Sequence, residues 1–291
     1  MLGSVVAGLT SGGVYALLGL SIVLTYRLAA VVNFAMAVIG AMGAFVMASL
    51  TDAGLNVWPA LIVGAVSGGL LSAVLGAGLV RWFGAHALRT KAAVTVAVYV
   101  ALMALGLRLF GSVTTGARRF PQPFDAPAFV VGDVVVPQAA LVSLALAVLI
   151  TVGVTLLLGR TMFGLRLQAI SERPATAEVV GIPAPRLALA VWTGIGALTT
   201  LVIVLVAPRL GGDFSTLGNL VTTALAVAMI GAFHSLWLTL AGGLLLGCLE
   251  GAAASLEAVQ AYRGVLPFLV MLALLWWRSR HEVWDTATAA R

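Results

Sequence analysis

Apolar residues run through this chain in long unbroken stretches, and the polar positions gather in short segments between them. A helix crossing the ~30 Å hydrocarbon core of a bilayer needs about 20 such residues. That ruler predicts nine spans: Gly3–Thr25, Asn33–Leu50, Trp58–Val80, Ala92–Phe110, Pro137–Leu158, Leu187–Ala207, Leu217–Phe233, Leu236–Leu256 and Gly264–Trp277. Because the runs are continuous rather than alternating, a transmembrane β-barrel is disfavoured. The first run lacks a positively charged leader and exceeds a typical signal-peptide core, so it reads as the first span. The expected fold is an all-α polytopic membrane protein of about eight or nine transmembrane helices, one domain over residues 1–291.

One polar interruption stands apart. Residues 159–186 carry Arg160, Arg166, Glu172, Arg173, Glu178 and Arg186 in a chain with only 9% charged residues, so the segment must lie in water. Local rules predict a short helix in it, from Pro174 to Val180. Ser171 or Arg173 precedes the helix, Pro174 suits its first turn, and Gly181 can take the left-handed conformation that closes it. Pro183 and Pro185 block continuation. Ala175, Ala177, Val179 and Val180 give small or apolar surface, as in a docking element; the plainer reading is a solvated loop with one helical turn. The longest connection on the opposite side, residues 112–136, contains Pro121, Pro123 and Pro127 and reads as a surface lid without helix.

Composition and charge sharpen this picture. With 62% hydrophobic residues and a mean hydropathy of +1.12, the chain lies outside the soluble globular range. The net charge of +6 comes from dispersed arginines and a single lysine, Lys91, which form no basic stripe for nucleic acid. They sort by side instead. With the N-terminus outside, Arg27, Arg81, Arg89, Lys91, Arg160, Arg166, Arg173, Arg186, Arg278, Arg280 and Arg291 fall on the cytoplasmic side. Arg118, Arg119, Arg209 and Arg263 fall outside, with Arg108 near the outer end of its helix. The basic excess therefore places residues 159–186 and the C-terminus in the cytoplasm. Cys248 is the lone cysteine, and His86, His234 and His281 are far apart, so no disulfide or metal site is indicated.

Polar residues inside apolar runs are the candidates for chemistry. Glu250 is the sharpest, since a carboxylate in a bilayer span costs roughly 2.5 to 3.5 kcal/mol on insertion scales and must face the bundle interior, water or a partner. It either lines a pathway or pairs with a neighbouring span. Tyr15, Thr95, Tyr99, Thr193, Asn219, Thr222 and Thr223 are milder candidates, each equally able to satisfy backbone groups. Many of the 33 glycines lie within spans, which suits close helix packing. GGLLSAVLGA from Gly68 matches GGLLLGCLEG from Gly242 at both glycines and three leucines, a hint of an inverted repeat. Lys91 is not preceded by glycine, so no Walker A loop exists and ATP cannot bind here by that route. No catalytic set can be assembled.

The order Arg160, Gly164, Arg166, Ala175-Thr176-Ala177 and Gly181-Ile182 resembles the coupling loop of the branched-chain amino acid permease family of ABC importers. Gly8-Leu9-Thr10, Tyr15-Ala16-Leu17, Thr25-Tyr26 and Asn33-Phe34-Ala35 are similar to that family's first two helices. The region from Gly231-Ala232 through Gly242-Gly243 to Glu250 extends the likeness to nearly the whole chain. The resemblance implies a permease subunit of a bacterial inner-membrane importer working by alternating access. Glu172, Arg173, Pro174, Ala175, Ala177, Glu178, Gly181 and Ile182 would then couple it to ATPases. It also implies a second permease, as copy or paralogue, two cytoplasmic ATPases that carry the ATP and Mg, and an extracytoplasmic solute-binding protein. Arg118 and Arg119 are placed to dock that protein, or are a solvated basic pair. Tyr15, Asn33, Tyr99, Asn219, Thr222 and Glu250 are the pathway candidates. Met36-Ala37 replaces the family's usual His-Gly, which either suits a more hydrophobic cargo or only packs helices. Branched-chain amino acids come first as substrate, then urea or amides, then apolar carboxylic acids. An ion-coupled transporter using Glu250 is the alternative from another class.

Overall fold

The computed structural model describes residues 2–83, 87–111, 120, 124, 126–131, 134–172, 174–179, 181–255 and 263–289. Helices dominate them. In chain order they are α1 (Leu2–Ala29), α2 (Met36–Asp52), α3 (Val57–Phe83), α4 (Leu88–Phe110), α5 (Gln138–Arg160), α6 (Met162–Glu172), α7 (Pro174–Val179), α8 (Ala184–Val206), α9 (Phe214–Gly218), α10 (Leu220–Ile230), α11 (Leu236–Ala254) and α12 (Leu266–Ala289). Six of these are long and apolar enough to cross a membrane: the Ser11–Ala29 part of α1, then α3, α4, α5, α8 and α11. Helix α2 and the α9–α10 stretch are shorter apolar elements.

Three expected spans depart from the uniform ruler. The second begins only at Met36, because Ala30 takes a left-handed backbone (φ 50°) and Asn33 Oδ1 accepts the Ala35 N–H at 3.0 Å, folding residues 30–35 into a link. The seventh is interrupted at Asn219, between α9 and α10. The ninth opens as a 3-10 turn, Arg263–Val265, and its helix α12 continues past Trp277 to Ala289. The connection between α4 and α5 is also not wholly irregular: β1 (Pro127–Val131) and β2 (Val134–Pro137) pair antiparallel, with a register irregularity between Pro127 and Phe129. The sequence there is rich in valine, a β-branched residue that favours strand.

Helix α1 is the hub, and nearly all of Gly12–Thr25 is buried. Its closest neighbour is α11. A Cβ on Gly247 would stand 2.5 Å from the Gly12 Cα, and one on Gly12 would stand 2.9 Å from the Leu244 Cα, so the two backbones touch. Gly8 and Gly243 meet the Gly247 carbonyl and the Ala16 backbone in the same seam. A second seam joins α3 to α8, where Gly76 lies flush under the fully buried Trp192 ring and the Ser72 hydroxyl donates to Trp192 O at 2.7 Å. The packing is reciprocal: α1 lies on α11 and α10, while α8 lies on α3 and α2.

These seams predict where substitution is tolerated. Gly247→Val drives a branched side chain into backbone that has no rotamer to yield, and is expected to cost about 3 kcal/mol, the upper range for overpacked sites. Gly153→Ala on α5, where a Cβ meets nothing within 4 Å, is expected to stabilise by roughly 0.5 to 1 kcal/mol. Thermal unfolding midpoints of the two variants in detergent would move in opposite directions.

Candidate functional site

Between the two membrane helices α5 and α8 the chain leaves the bundle and builds a small platform. After Arg160, Thr161 Oγ1 accepts the Gly164 N–H at 3.0 Å and starts α6. Gln168 Nε2 donates back to Leu158 O at 3.1 Å, holding α6 against the end of α5. Helix α7 follows, and Gly181 closes it in the left-handed region (φ 86°) while the Ile182 N–H reaches Ala177 O at 3.0 Å. That bond belongs to the Schellman termination, which glycine permits. Ile170, Ala177 and Ala184 are buried together, with Ile182 and Leu187 against them, so α7 is seated on α6 and the foot of α8. Its opposite face presents Val179, 87% exposed.

The sequence anticipated α7 and its glycine cap but not α6. The signal was present: Gly164, Leu167 and Ile170 are buried at helical spacing, whereas Met162, Phe163, Leu165 and Arg166 are exposed. Arg173 and the side chains of Glu172, Pro174, Ala175 and Glu178 lie outside the described residues, as do Arg118 and Arg119.

Within the bundle, the pathway candidates separate into three places. Tyr15 on α1 donates its hydroxyl to Glu250 Oε2 on α11 at 2.6 Å, across the glycine seam. Tyr99 on α4 donates to Asn219 Oδ1 at 2.7 Å, and Thr222 Oγ1 donates to Asn219 O at 2.9 Å. This second group stands at the break between α9 and α10, where Asn219 is exposed. Asn33 is elsewhere, 1% exposed, and its Nδ2 has no partner among the described residues. Thr95 tethers that link to α4, with its Oγ1 3.0 Å from Val32 O and accepting the Phe34 N–H at 3.3 Å.

Met36 and Ala37 are fully buried at the start of α2. Their apolar side chains pack the core in this conformation. An aromatic cluster that the sequence did not flag brings Phe45 to 5.2 Å from Phe214 and 5.1 Å from both Phe110 and Phe120, bracing α9 against α2 and α4. Asp213 caps α9 by accepting the Thr216 N–H at 3.0 Å. Hydrogen bonds from the Ser215 hydroxyl and the Thr216 backbone lower its pKa, so it stays ionised. Among the described residues no group of three or more His, Cys, Asp or Glu could hold a metal ion.

The structure of PsaBC from Streptococcus pneumoniae in complex with Fab shares this fold, at a TM-score of 0.50 and 14% identity, covering 94% of this chain and 88% of that one. No curated protein matches the sequence. A family model described as the permease component of a branched-chain amino acid transport system matches residues 4–275. That match spans almost the whole bundle, from α1 into α12, and the chain belongs to this permease family.

Proposed function

We propose that this chain is the membrane-spanning permease subunit of an ATP-driven ABC importer in a bacterial inner membrane. Its N-terminus is outside and its C-terminus cytoplasmic. The observation that carries the reading is the α6–α7 platform: a short glycine-capped helix held by an apolar cluster between two membrane helices, with an exposed valine at its tip. Such a knob can transmit force because Ile170, Ala177 and Ala184 tie it to α8. Two cytoplasmic ATPases would bind and hydrolyse ATP with Mg and move the platform through its coupling segment, residues 172–182. A second permease, copy or paralogue, would complete the passage, and an extracytoplasmic binding protein would deliver cargo near Arg118 and Arg119.

Alternating access suits the reciprocal packing of α1 on α10 and α11 and of α8 on α2 and α3. Exchanging α1 with α8, α2 with α10 and α3 with α11 preserves those contacts, which supports an inverted repeat whose halves rock against each other. Tyr99, Asn219 and Thr222 offer neutral hydrogen-bonding groups to the cargo. Small solutes fit that chemistry, branched-chain amino acids first, with urea, amides or apolar carboxylic acids next. The Tyr15 hydroxyl already engages Glu250, which favours a structural pairing over an ion-coupling site.

Three measurements test this reading. Affinity purification in mild detergent should recover a Walker-A-bearing ATPase, and Val179→Asp should weaken that association roughly tenfold, or about 1.4 kcal/mol; an active preparation with no ATPase would sink the importer assignment. Gly181→Val should uncouple hydrolysis from uptake while Gly181→Asn, which tolerates the left-handed backbone, retains coupling. Tyr99→Phe removes one hydrogen bond, and uptake should fall several-fold with unchanged ATPase recovery; undiminished uptake would exclude the α4–α10 group from the pathway.

A further inference from the structure

At the platform end of the bundle, the last turn of α1, the first turn of α4, the end of α5 and helix α6 border a half-open cavity of about 620 Å³. Arg27, Lys91, His234, Tyr26, Ser171 and Gln168 line it, and no acidic residue is among its described lining. Arg27 and Lys91 are half-buried and make no ion pair among the described residues. Arg27 has a partial explanation, since the carbonyl end of α1 favours a cation. Lys91 has none. It lies near the N-terminus of α4, beside Arg89, where the helix dipole is already positive. No acidic residue occupies that first turn, and Ala87 offers no side-chain cap. Helix end and side chains therefore add positive charge on one cavity, with no carboxylate among the described lining residues to balance it.

We propose that this cavity binds the phosphate headgroup of an anionic phospholipid. The oxygens of a phosphate can accept from the guanidinium, the ammonium and the Tyr26 hydroxyl, and from Ser171 once its hydroxyl turns from Gln168 O, to which it donates at 3.0 Å; basic pockets between membrane helices suit such headgroups. The volume lies in the range of small-molecule sites. A lipid rather than a free phosphate fits because α4 leads away from the cavity with Leu88, Val96 and Val100 exposed, and α5 with Leu149 and Leu156 exposed, apolar flanks along which acyl chains can lie. A headgroup touching Lys91 and Ser171 would clamp α6 to the transmembrane body. That consequence for coupling rests on the importer reading; binding itself does not.

The test uses the full chain in nanodiscs of phosphatidylcholine, with and without phosphatidylglycerol, together with native mass spectrometry of the purified protein. Phosphatidylglycerol should be retained and should raise the unfolding midpoint by several degrees. The pair Arg27→Gln, Lys91→Gln should abolish both effects, and the charge-matched pair Arg108→Gln, Arg209→Gln should leave them intact. Equal midpoints for the unaltered protein in the two lipids would overturn the proposal, and this comparison stands even if the double variant does not fold. So would equal retention by both variant pairs. If millimolar inorganic phosphate in phosphatidylcholine discs protects as well as phosphatidylglycerol, the site belongs to a soluble anion and the lipid assignment fails. Lipid retention is read without any ATPase, so its result is independent of the importer reading.

Discussion

Backbone contact between α1 and α11 is the constraint from which the other arrangements follow. Lipid tails are as apolar as leucine, so burying leucine between two membrane helices gains little, and association depends on close packing. Gly8, Gly12, Gly243 and Gly247 remove the side chains that would hold the helices apart. Dispersion then acts along the whole seam, each atom pair contributing only about 0.1 to 0.2 kcal/mol but many pairs adding up. The α3–α8 seam uses the same device with a different filling, a glycine face against the indole of Trp192.

The seam also decides where a carboxylate can reside. Glu250 sits on α11 beside the glycines, and Tyr15 sits on α1 at matching height, so the close approach brings hydroxyl and carboxylate to 2.6 Å. In the hydrocarbon interior that hydrogen bond offsets part of the desolvation that insertion imposes. An apolar pair would avoid the desolvation altogether; what the polar pair adds is register, because sliding α11 by one residue would strand the carboxylate. The Tyr99–Asn219 pair plays no such part in a seam. Asn219 stands exposed where α9 gives way to α10.

Much of the fold was legible because hydropathy measures the property the bilayer selects. The bounds of α3, α4, α5, α8 and α11 fall within a few residues of those expected from apolar runs alone. The glycine cap of α7 was legible too, since Gly181 followed by Pro183 and Pro185 leaves few local options. What escaped were features set by tertiary contact. The link before α2 depends on an Asn33 turn and on Thr95, 62 positions further along, and no local rule ties those two residues. The amphipathic α6 was hidden among arginines that mark it as polar, and the ribbon near residues 127–137 was masked by prolines that exclude helix but not strand. Pairing of Tyr15 with Glu250 needed the seam itself, although both residues stood out singly.

Placement of the polar groups bears on how the chain can treat its cargo. The described candidates facing outward, Tyr99, Asn219 and Thr222, are neutral, and the one carboxylate in a span is engaged within the bundle. A zwitterionic amino acid would find hydrogen-bond partners at such a surface but no countercharge. Binding there must then be weak, because an uncompensated ammonium or carboxylate loses hydration without gaining a partner. Weak binding is an advantage to a passage: a site that held the solute tightly would have to be emptied at each cycle, and affinity that stabilises the bound state slows release. On the importer reading proposed above, selectivity would belong upstream, with a component that captures cargo in water, and this chain would serve by changing packing along its glycine seams in response to force on α7.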